Sequence, residues 1–574
     1  MGNVFSATAS SRGFTVKAYS GDRCAMLAFD LADHLTDRLA GFAIRRRRAE
    51  GGSWTWLGNR LSFEGDYTTG GGKFFPSDTA PFQKFWWLDF PSDDAQGALC
   101  YEVVVKRFVQ DTLNQLEDDQ TVQVTLEVGP FIEGGIEIAF TRGYLSSQAY
   151  ADEFGNKPYE PSVPAGQWKF DWKPYDAQWA WLGGHARTAI ESFLTQCYED
   201  PHASVDAFVY DLNEPAIITA FMEFASMGKL RMLADDAKLH ETGTAAAQAF
   251  ADIQAAATDA TRDGFKRGKF KRFQHNKVLI KRVDGVAQKV LTGSTNYSIT
   301  GLYVNANHVF VFDDPAVAAK YDEAFETALN DDLRAADFYE RAISMQEFSI
   351  EQAGMPPIVV SFAPHRDPQV GLERVLKAIE GADSSVIFAV MDLNGSGEVL
   401  KALSQLHTNQ NVFSYGISDS VNPADDTIDG TTVYTPTSKG GELVYSKANP
   451  ETFPPPFSME REVKGPAAHI VHHKFVVVDF NGTNPVVFGG SSNFAEGGES
   501  FNGDNLVAIY DRSIATAFAI EGIRLVDHYA FAAALKRAGA SDQPLRLKRD
   551  GEKWWARYYA AGDIREKERK LFSR

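Results

Sequence analysis

No apolar run in the 574 residues reaches the ~18–20 needed for a helix to cross a bilayer. The start, "MGNVFSATASSRGF", lacks the basic and apolar regions of a secretory signal, so a cytoplasmic chain is expected. Gly2 and Ser6 do complete the pattern M-G-x-x-x-S, a myristoylation signal in a eukaryotic host. Cysteine is scarce, with only Cys24, Cys100 and Cys197. So few, and an odd number, exclude a disulfide scaffold and point to free thiols in a reducing compartment. In an exported protein, pairing of Cys24 with Cys100 across a β-sandwich stays open. Positive charge is also short, with 57 Lys and Arg against 76 Asp and Glu, a net charge of −19. That balance disfavours non-specific nucleic-acid binding, which rests on neutralising phosphates. One stretch runs against it. "FKRGKFKRFQHNK" gathers Lys266, Arg267, Lys269, Lys271, Arg272 and Lys277.

What is present is organised. Residues 1–150 carry short alternating or aromatic runs separated by Gly, Asp and Ser: "FTVKAYS", "GFAIRRRR", "KFWWLDF", "CYEVVVKRF", "TVQVTLEVG", "IEIAF". Such spacing predicts an all-β sandwich. "FGNKPYEPSVPAGQ" (154–167) reads as a linker. Beyond it, helical patterns alternate with buried strands, which implies α/β layers. The order helix, strand, helix, strand then recurs, and "YDLN" (210–213) and "MDLN" (391–394) share Asp-Leu-Asn. The second copy is interrupted by a long Pro/Gly-rich loop at 421–468. Two similar halves imply an internal duplication.

The halves align on two segments, "HNKVLIKR" (275–282) and "HHKFVVVD" (472–479). His275 matches His472, and Lys277 matches Lys474. Eighteen residues past each histidine comes Gly-Ser-x-Asn, "GSTN" (293–296) and "GSSN" (490–493), and the register runs without a gap to Ala318 and Ala515. His-x-Lys alone carries no information. His-x-Lys with Gly-Ser-x-Asn at one spacing, twice, is specific. In a strand, residues i and i+2 share a face, so each histidine projects with its lysine. By the same parity His473 is a packed or exposed bystander. Asp479 points away from His472 as a structural anchor. The matched position in the first half is Arg282, and Asp284 is the nearest substitute for the missing carboxylate. A phosphodiester is an anion, so Lys277 and Lys474 supply charge, and Ser294, Asn296, Ser491 and Asn493 supply donors. Two imidazoles supply a nucleophile and an acid–base group near neutral pH.

These residues resemble the phospholipase D superfamily, marked by paired His-x-Lys…Asp motifs followed by Gly-Ser-x-Asn. The resemblance covers residues of about 165–535. It implies a duplicated α/β fold with two abutting sheets, both motifs meeting at one pseudo-twofold site. It also implies phosphodiester cleavage through a phosphohistidine with neither metal nor cofactor. Three regions are then expected: a sandwich-like domain at 1–155, a first half at 165–350, and a second half with a helical tail at 351–574. In relatives a downstream acidic residue bonds a catalytic imidazole. Asp504 holds that position here, against Asn307 in the first half, with Glu496 and Glu499 nearby. Asp504 reaching across to His275 would favour its imidazolium and fit His275 as the nucleophile.

The substrate is less legible. Phospholipid head groups are the favoured reading, by hydrolysis or transfer, with contact to a membrane surface through "NPETFPPPFSME" (449–460) or "KPYDAQWAWLGG" (173–184) set against ordinary packing of those loops. A nuclease is the alternative, because "GSTNYS…TGLYVNANHV" resembles nuclease-like members and the basic stretch suits a phosphate backbone. A non-catalytic binding protein on this fold is the third. The partner of the N-terminal domain is left open.

Overall fold

The computed structural model describes residues 5–64, 74–143, 150, 153–155, 157–161, 163–164, 166–393, 397–406, 411–418, 433–434, 441–445, 471–540 and 545–574. The segment 449–460 and nearly all of the 421–468 loop lie outside them. No helix among the described residues is long and apolar enough to cross a membrane.

Two four-stranded antiparallel sheets form the N-terminal sandwich. One orders Ser6–Ser11, Phe14–Gly21, Cys24–Leu31 and Trp86–Asp89, and the other Leu116–Val128, Gly97–Phe108, Leu39–Arg48 and Gly51–Trp56. Strand alternation builds the core between them. Val122, Val124, Leu126 and Val128 point inward, while Thr121, Gln123, Thr125 and Glu127 face solvent. The same alternation separates the two cysteines. Leu99, Tyr101 and Val103 enter the core, so Cys100 faces the other way, beside Gln123. Cys24 packs in the cluster beneath the sandwich. Cys24, Cys100 and Cys197 are all buried and free.

Two mixed sheets follow, with one strand order repeated. The first runs Phe131–Glu133, Ile136–Phe140, His308–Phe312, Val286–Gly293, Val278–Val283, Ala203–Val209, Leu230–Ala234, Phe265–Arg267. The second runs Phe348–Ile350, Ile358–Phe362, Asn505–Ile509, Val486–Gly490, Lys474–Val478, Ser385–Val390, Phe413–Ser418, Gly441–Tyr445, Val433–Tyr434. This corrects the expected boundaries. The first half begins at Phe131, not 165, because Ile136–Phe140 pairs antiparallel with His308–Phe312, with Phe140 opposite His308. "IEIAF" therefore belongs to the α/β unit and not to the sandwich. The matching hairpin opens the second half at Phe348.

The central strands are buried on both faces. Val278 and Ile280 face the inter-sheet core and Leu279 the outer helices; Phe475 and Val477 likewise oppose Val476 and Val478. Helices Pro315–Asn330 and Arg512–Ala540 leave the ends of matched strands. Asp314 and Asp511 start them alike, each accepting a backbone N–H of the first turn. The tail returns to the sandwich. Trp554 and Tyr558 pack on its core, and Trp86 Nε1 donates to Glu568 at 2.6 Å. Aromatic residues of 173–184 are largely packed too: this stretch opens the helix Asp176–Glu199, and Trp179 is fully buried between Trp172 and Tyr303.

Candidate active site

Each histidine sits just before its strand, where the two halves interlock. Phe273–Gln274 pairs in parallel with Asn502–Gly503, and Val471 pairs in parallel with Ala306. These two bridges are mates in the repeat. They carry His275 N to Gly503 O (2.8 Å) and His472 N to Ala306 O (3.0 Å). The imidazoles are then crossed between halves. His275 Nδ1 lies 2.7 Å from Asp504 Oδ1, and His472 Nδ1 lies 2.8 Å from Asn307 Oδ1 and 3.1 Å from Ser294 O. Asn307 is fixed in turn by donating Nδ2 to Gly301 O (2.8 Å), so its Oδ1 is the acceptor and His472 carries its proton on Nδ1.

Each lysine folds back on its histidine. Lys277 Nζ donates to His275 O, and Lys474 Nζ donates to His472 O at 2.9 Å. Lys474 Nζ is also 3.3 Å from His472 Nε2. His275 Nε2, by contrast, has no hydrogen bond among the described residues. The regular-strand geometry expected of His275 does not apply, since residues 275–277 are outside the strand, but the lysine still reaches its histidine's side. Burial and the adjacent Lys277 push His275 down to about 4, against the pull of Asp504. Asp504 favours the imidazolium, as expected, but desolvation and Lys277 outweigh it. Burial and Lys474 hold Lys277 well below the ordinary lysine range, a cost that a bound phosphodiester anion would relieve.

Gly-Ser-x-Asn has a steric origin. Gly293 (φ 148°) and Gly490 (φ 127°) lie in the glycine-favouring region, and a Cβ would come within 2.3 Å of His308 O and 2.5 Å of Asn505 O. The serines follow the same contact. Ser294 Oγ accepts from His308 N (3.0 Å) and donates to Asn307 Oδ1 (2.8 Å). Ser491 Oγ accepts from Asn505 N (3.0 Å) and Asn505 Nδ2 (3.2 Å). Ser294 thus spends its proton on Asn307 and holds the strand beside it, whereas Ser491 accepts twice and keeps its own proton. The asparagines differ. Asn296 Oδ1 and Asn493 Oδ1 are buried with no partner among the described residues, so neither carboxamide is fixed through its oxygen.

Asp479 is a mechanical tie. Its Oδ1 accepts from Ser384 N (2.7 Å), Ser384 Oγ (2.7 Å) and Ser385 N (2.9 Å), and its Oδ2 from Asp383 N (3.0 Å). Arg282 instead reaches Asp206, Asp322 and Glu326. Asp284 does not replace the missing aspartate, because its carboxylate meets the exposed His202 ring. The trio Asp206, Asp322 and Glu326 is the one carboxylate cluster of metal-binding spacing among the described residues, and the guanidinium groups of Arg231 and Arg282 already fill it. Glu499 is buried too, accepting from Ser492 Oγ.

Several site residues escaped the sequence reading. Tyr210 packs edge-on against His275, and Lys277 Nζ lies 4.4 Å above its ring. Its repeat mate Met391 approaches Lys474 Nζ with Sδ at 3.9 Å. Each directly precedes the shared Asp-Leu-Asn, the signal that would have found them. The pair Asn276 Oδ1–Asn505 Nδ2 (2.9 Å) has as repeat mate the pair His473 Nδ1–His308 Nδ1 (3.3 Å). His473 is therefore packed, and it is bonded.

A family model described as cardiolipin synthase, phospholipase D-like domain, matches residues 194–329 and again 375–521. No curated protein matches the chain. Among solved structures, phosphatidylserine synthase from Haemophilus influenzae Rd KW20 is similar at 10% identity over 62% of this chain and 91% of its own, with a TM-score of 0.40. Nuc of Salmonella typhimurium, a phospholipase D family member, is 22% identical over 26% of this chain and 88% of its own, TM-score 0.20. Yeast tyrosyl-DNA phosphodiesterase is 10% identical over 54% of this chain and 84% of its own, TM-score 0.29.

Proposed function

The chain belongs to the phospholipase D superfamily, and from that premise we propose that it cleaves phosphodiesters between its halves, with His275 as nucleophile and His472 as acid–base partner. One observation carries this reading. Both imidazoles are held through Nδ1 by the opposite half, and among the described residues a carboxylate meets that nitrogen on His275. His275 Nε2 attacks phosphorus, the P–N bond forms, and the P–O bond to the alkoxide breaks. His472, protonated once the anion draws Lys474 away, gives its Nε2 proton to that alkoxide. Neutral His472 then takes a proton from water or an alcohol, whose oxygen displaces His275. Asp504 stabilises the charge that His275 gains during attack. Lys277, Lys474, Asn296 and Asn493 hold the equatorial oxygens.

Phospholipid head groups are the proposed substrates. Part of the basic stretch is neutralised within the protein. Lys266 is paired with Asp332, and Lys269 lies 3.5 Å from Asp236. Lys271 covers the Phe501 ring, and Arg272 donates to Asn502. Purified protein in excess EDTA is expected to hydrolyse phosphatidylcholine or phosphatidylethanolamine faster than single- or double-stranded DNA. Faster DNA cleavage would make it a nuclease; activity that needs an added divalent ion would remove the mechanism. A His472→Asn variant given an ester with a good leaving group is expected to accumulate phosphate on the His275 peptide. Label on His472 in the wild type would reverse the roles.

A further inference from the structure

Each contact between an active-site histidine and the opposite half is doubled by the residues that follow it. His472 meets Asn307 (2.8 Å), and the next residue of each, His473 and His308, meet through their Nδ1 atoms (3.3 Å). His275 meets Asp504 (2.7 Å), and Asn276 and Asn505 meet next (2.9 Å). The second contact ties together the two backbone segments that carry the first. His308 and His473 are fully buried, and the proposed chemistry uses neither of them.

The geometry places the protons of the histidine pair. Glu521 Oε1 lies 3.1 Å from His473 Nε2 and accepts from Arg524 Nη2 (2.5 Å). Burial raises the Glu521 carboxyl, but Arg524 and His473 outweigh it and hold the group below the usual range. The ionised carboxylate accepts the Nε2–H of His473, which leaves Nδ1 as an acceptor. His308 is the opposite tautomer. Its Nε2 accepts from Gly490 N (3.2 Å), so Nδ1 carries the proton and donates to His473 Nδ1, with Ser294 Oγ at 3.2 Å beside it. The rings of Phe140, Phe475 and Phe518 wall the pair, and in such surroundings an unmade hydrogen bond is costly. Ser294 extends the brace. Its Oγ accepts from His308 N (3.0 Å) and donates to the same Asn307 Oδ1 that holds His472 (2.8 Å).

We propose that His308 and His473 are positioning residues for His472: their hydrogen bond sets the Nδ1 contact with Asn307, and so aims His472 Nε2 at the water or alcohol that releases the phosphoryl group. This rests on the proposed phosphodiesterase reading. In the release step the O–H proton passes to His472 Nε2, the new P–O bond forms, and the P–N bond to His275 breaks. A base displaced by about 1 Å loses up to roughly a hundredfold in rate. His275 is braced separately, by Asn276 and Asn505, so loosening the histidine pair leaves the nucleophile in place.

Two kinds of variant separate the brace from its surroundings. Gln carries its amide about where histidine has Nε2, and Asn about where it has Nδ1. His308→Gln and His473→Gln therefore keep partners for Gly490 N and Glu521 and remove the contact between the two rings. The double variant His308→Asn, His473→Asn keeps that contact and gives up the outer ones; it installs the residue pair that the fold already holds at 276 and 505. The probe is bis-p-nitrophenyl phosphate, whose good leaving group departs without an acid, so kcat/KM reports attack by His275 and kcat reports release. Rates are referred to the burst of p-nitrophenol, which counts competent sites and removes misfolded protein from the comparison. In each Gln variant kcat is expected to fall roughly tenfold or more while kcat/KM stays within about twofold, with the phosphoryl group accumulating on the His275 peptide. The double Asn variant is expected to return kcat to within about threefold of the wild type. Equal falls in kcat and kcat/KM would make the pair merely structural. An unchanged kcat in the Gln variants, or a double Asn variant as slow as they are, would overturn the brace. A wild type that never carries the phosphoryl group on His275 would refute the phosphodiesterase reading itself, and this inference with it.

Discussion

Asp504 and Asn307 occupy one position of the repeat, and each faces the histidine of the other half, at 2.7 and 2.8 Å. A carboxylate and a carboxamide both accept an Nδ1–H. Only the carboxylate stabilises a charged ring. Asp504→Asn makes the pair chemically equal, so kcat is expected to fall by about 10²–10⁴-fold with the fold intact. Single-turnover kinetics locate the loss in the formation of the phosphoenzyme. A variant with wild-type turnover would mean that Asp504 only orients the ring.

Asp479→Asn is expected to act on stability. The change weakens four hydrogen bonds that tie the turn 383–385 to the end of the histidine strand. A loss of about 2–3 kcal/mol follows for such a buried, charge-assisted set. Urea titration gives the number, and assays of the folded fraction should return near-normal kcat. Loss of activity with an unchanged Tm would contradict the tie.

Ser491→Ala tests the part that Ser491 plays in the fold. With Ser491 Oγ removed, Asn505 N and Nδ2 lose an acceptor in a fully buried place. Stability is expected to drop by about 1–3 kcal/mol, while KM stays within about twofold. A KM that rises tenfold at unchanged Tm would assign the hydroxyl to the substrate.

Acid is expected to destabilise the protein in a defined window. Burial and Lys277 push His275 down to about 4, and burial lowers His308 and His473 as well. In the unfolded chain each returns to about 6.5. Between those values the unfolded state binds the extra protons, so stability is full above pH ~6.5 and is lost as pH falls towards ~4. Each histidine adds a slope of up to about 1.4 kcal/mol per pH unit. The double variant His308→Asn, His473→Asn should flatten the curve measured by urea titration between pH 6.5 and 4.5. An unchanged slope would mean that these rings are protonated in the fold.

The repeat was legible because its chemistry fixes spacing. His-x-Lys and Gly-Ser-x-Asn recur at one offset, and Asp504 follows from the same alignment. What escaped depends on partners distant in the chain. "IEIAF" reads as one more sandwich strand until its neighbour is seen to be His308–Phe312, about 170 residues on. Serine beside a phosphate site reads as a donor, yet Ser294 gives its proton to Asn307, brought beside it by the turn at Gly293. The effect of Asp504 on His275 had the expected direction, but burial and Lys277 were larger, and neither is a property of local sequence.

The return of residues 545–574 to the sandwich bears on how the chain is made. Tyr19 donates to Phe572 O, Trp554 donates to Leu39 O, and Trp86 donates to Glu568. The sandwich is closed by a segment that lies about 400 residues further along the chain. While the ribosome elongates the two α/β halves, the sandwich waits with Trp86 and Phe85 uncovered. At ~5–20 residues per second those roughly 400 residues take about 20–80 s, during which a chaperone has an apolar surface to hold.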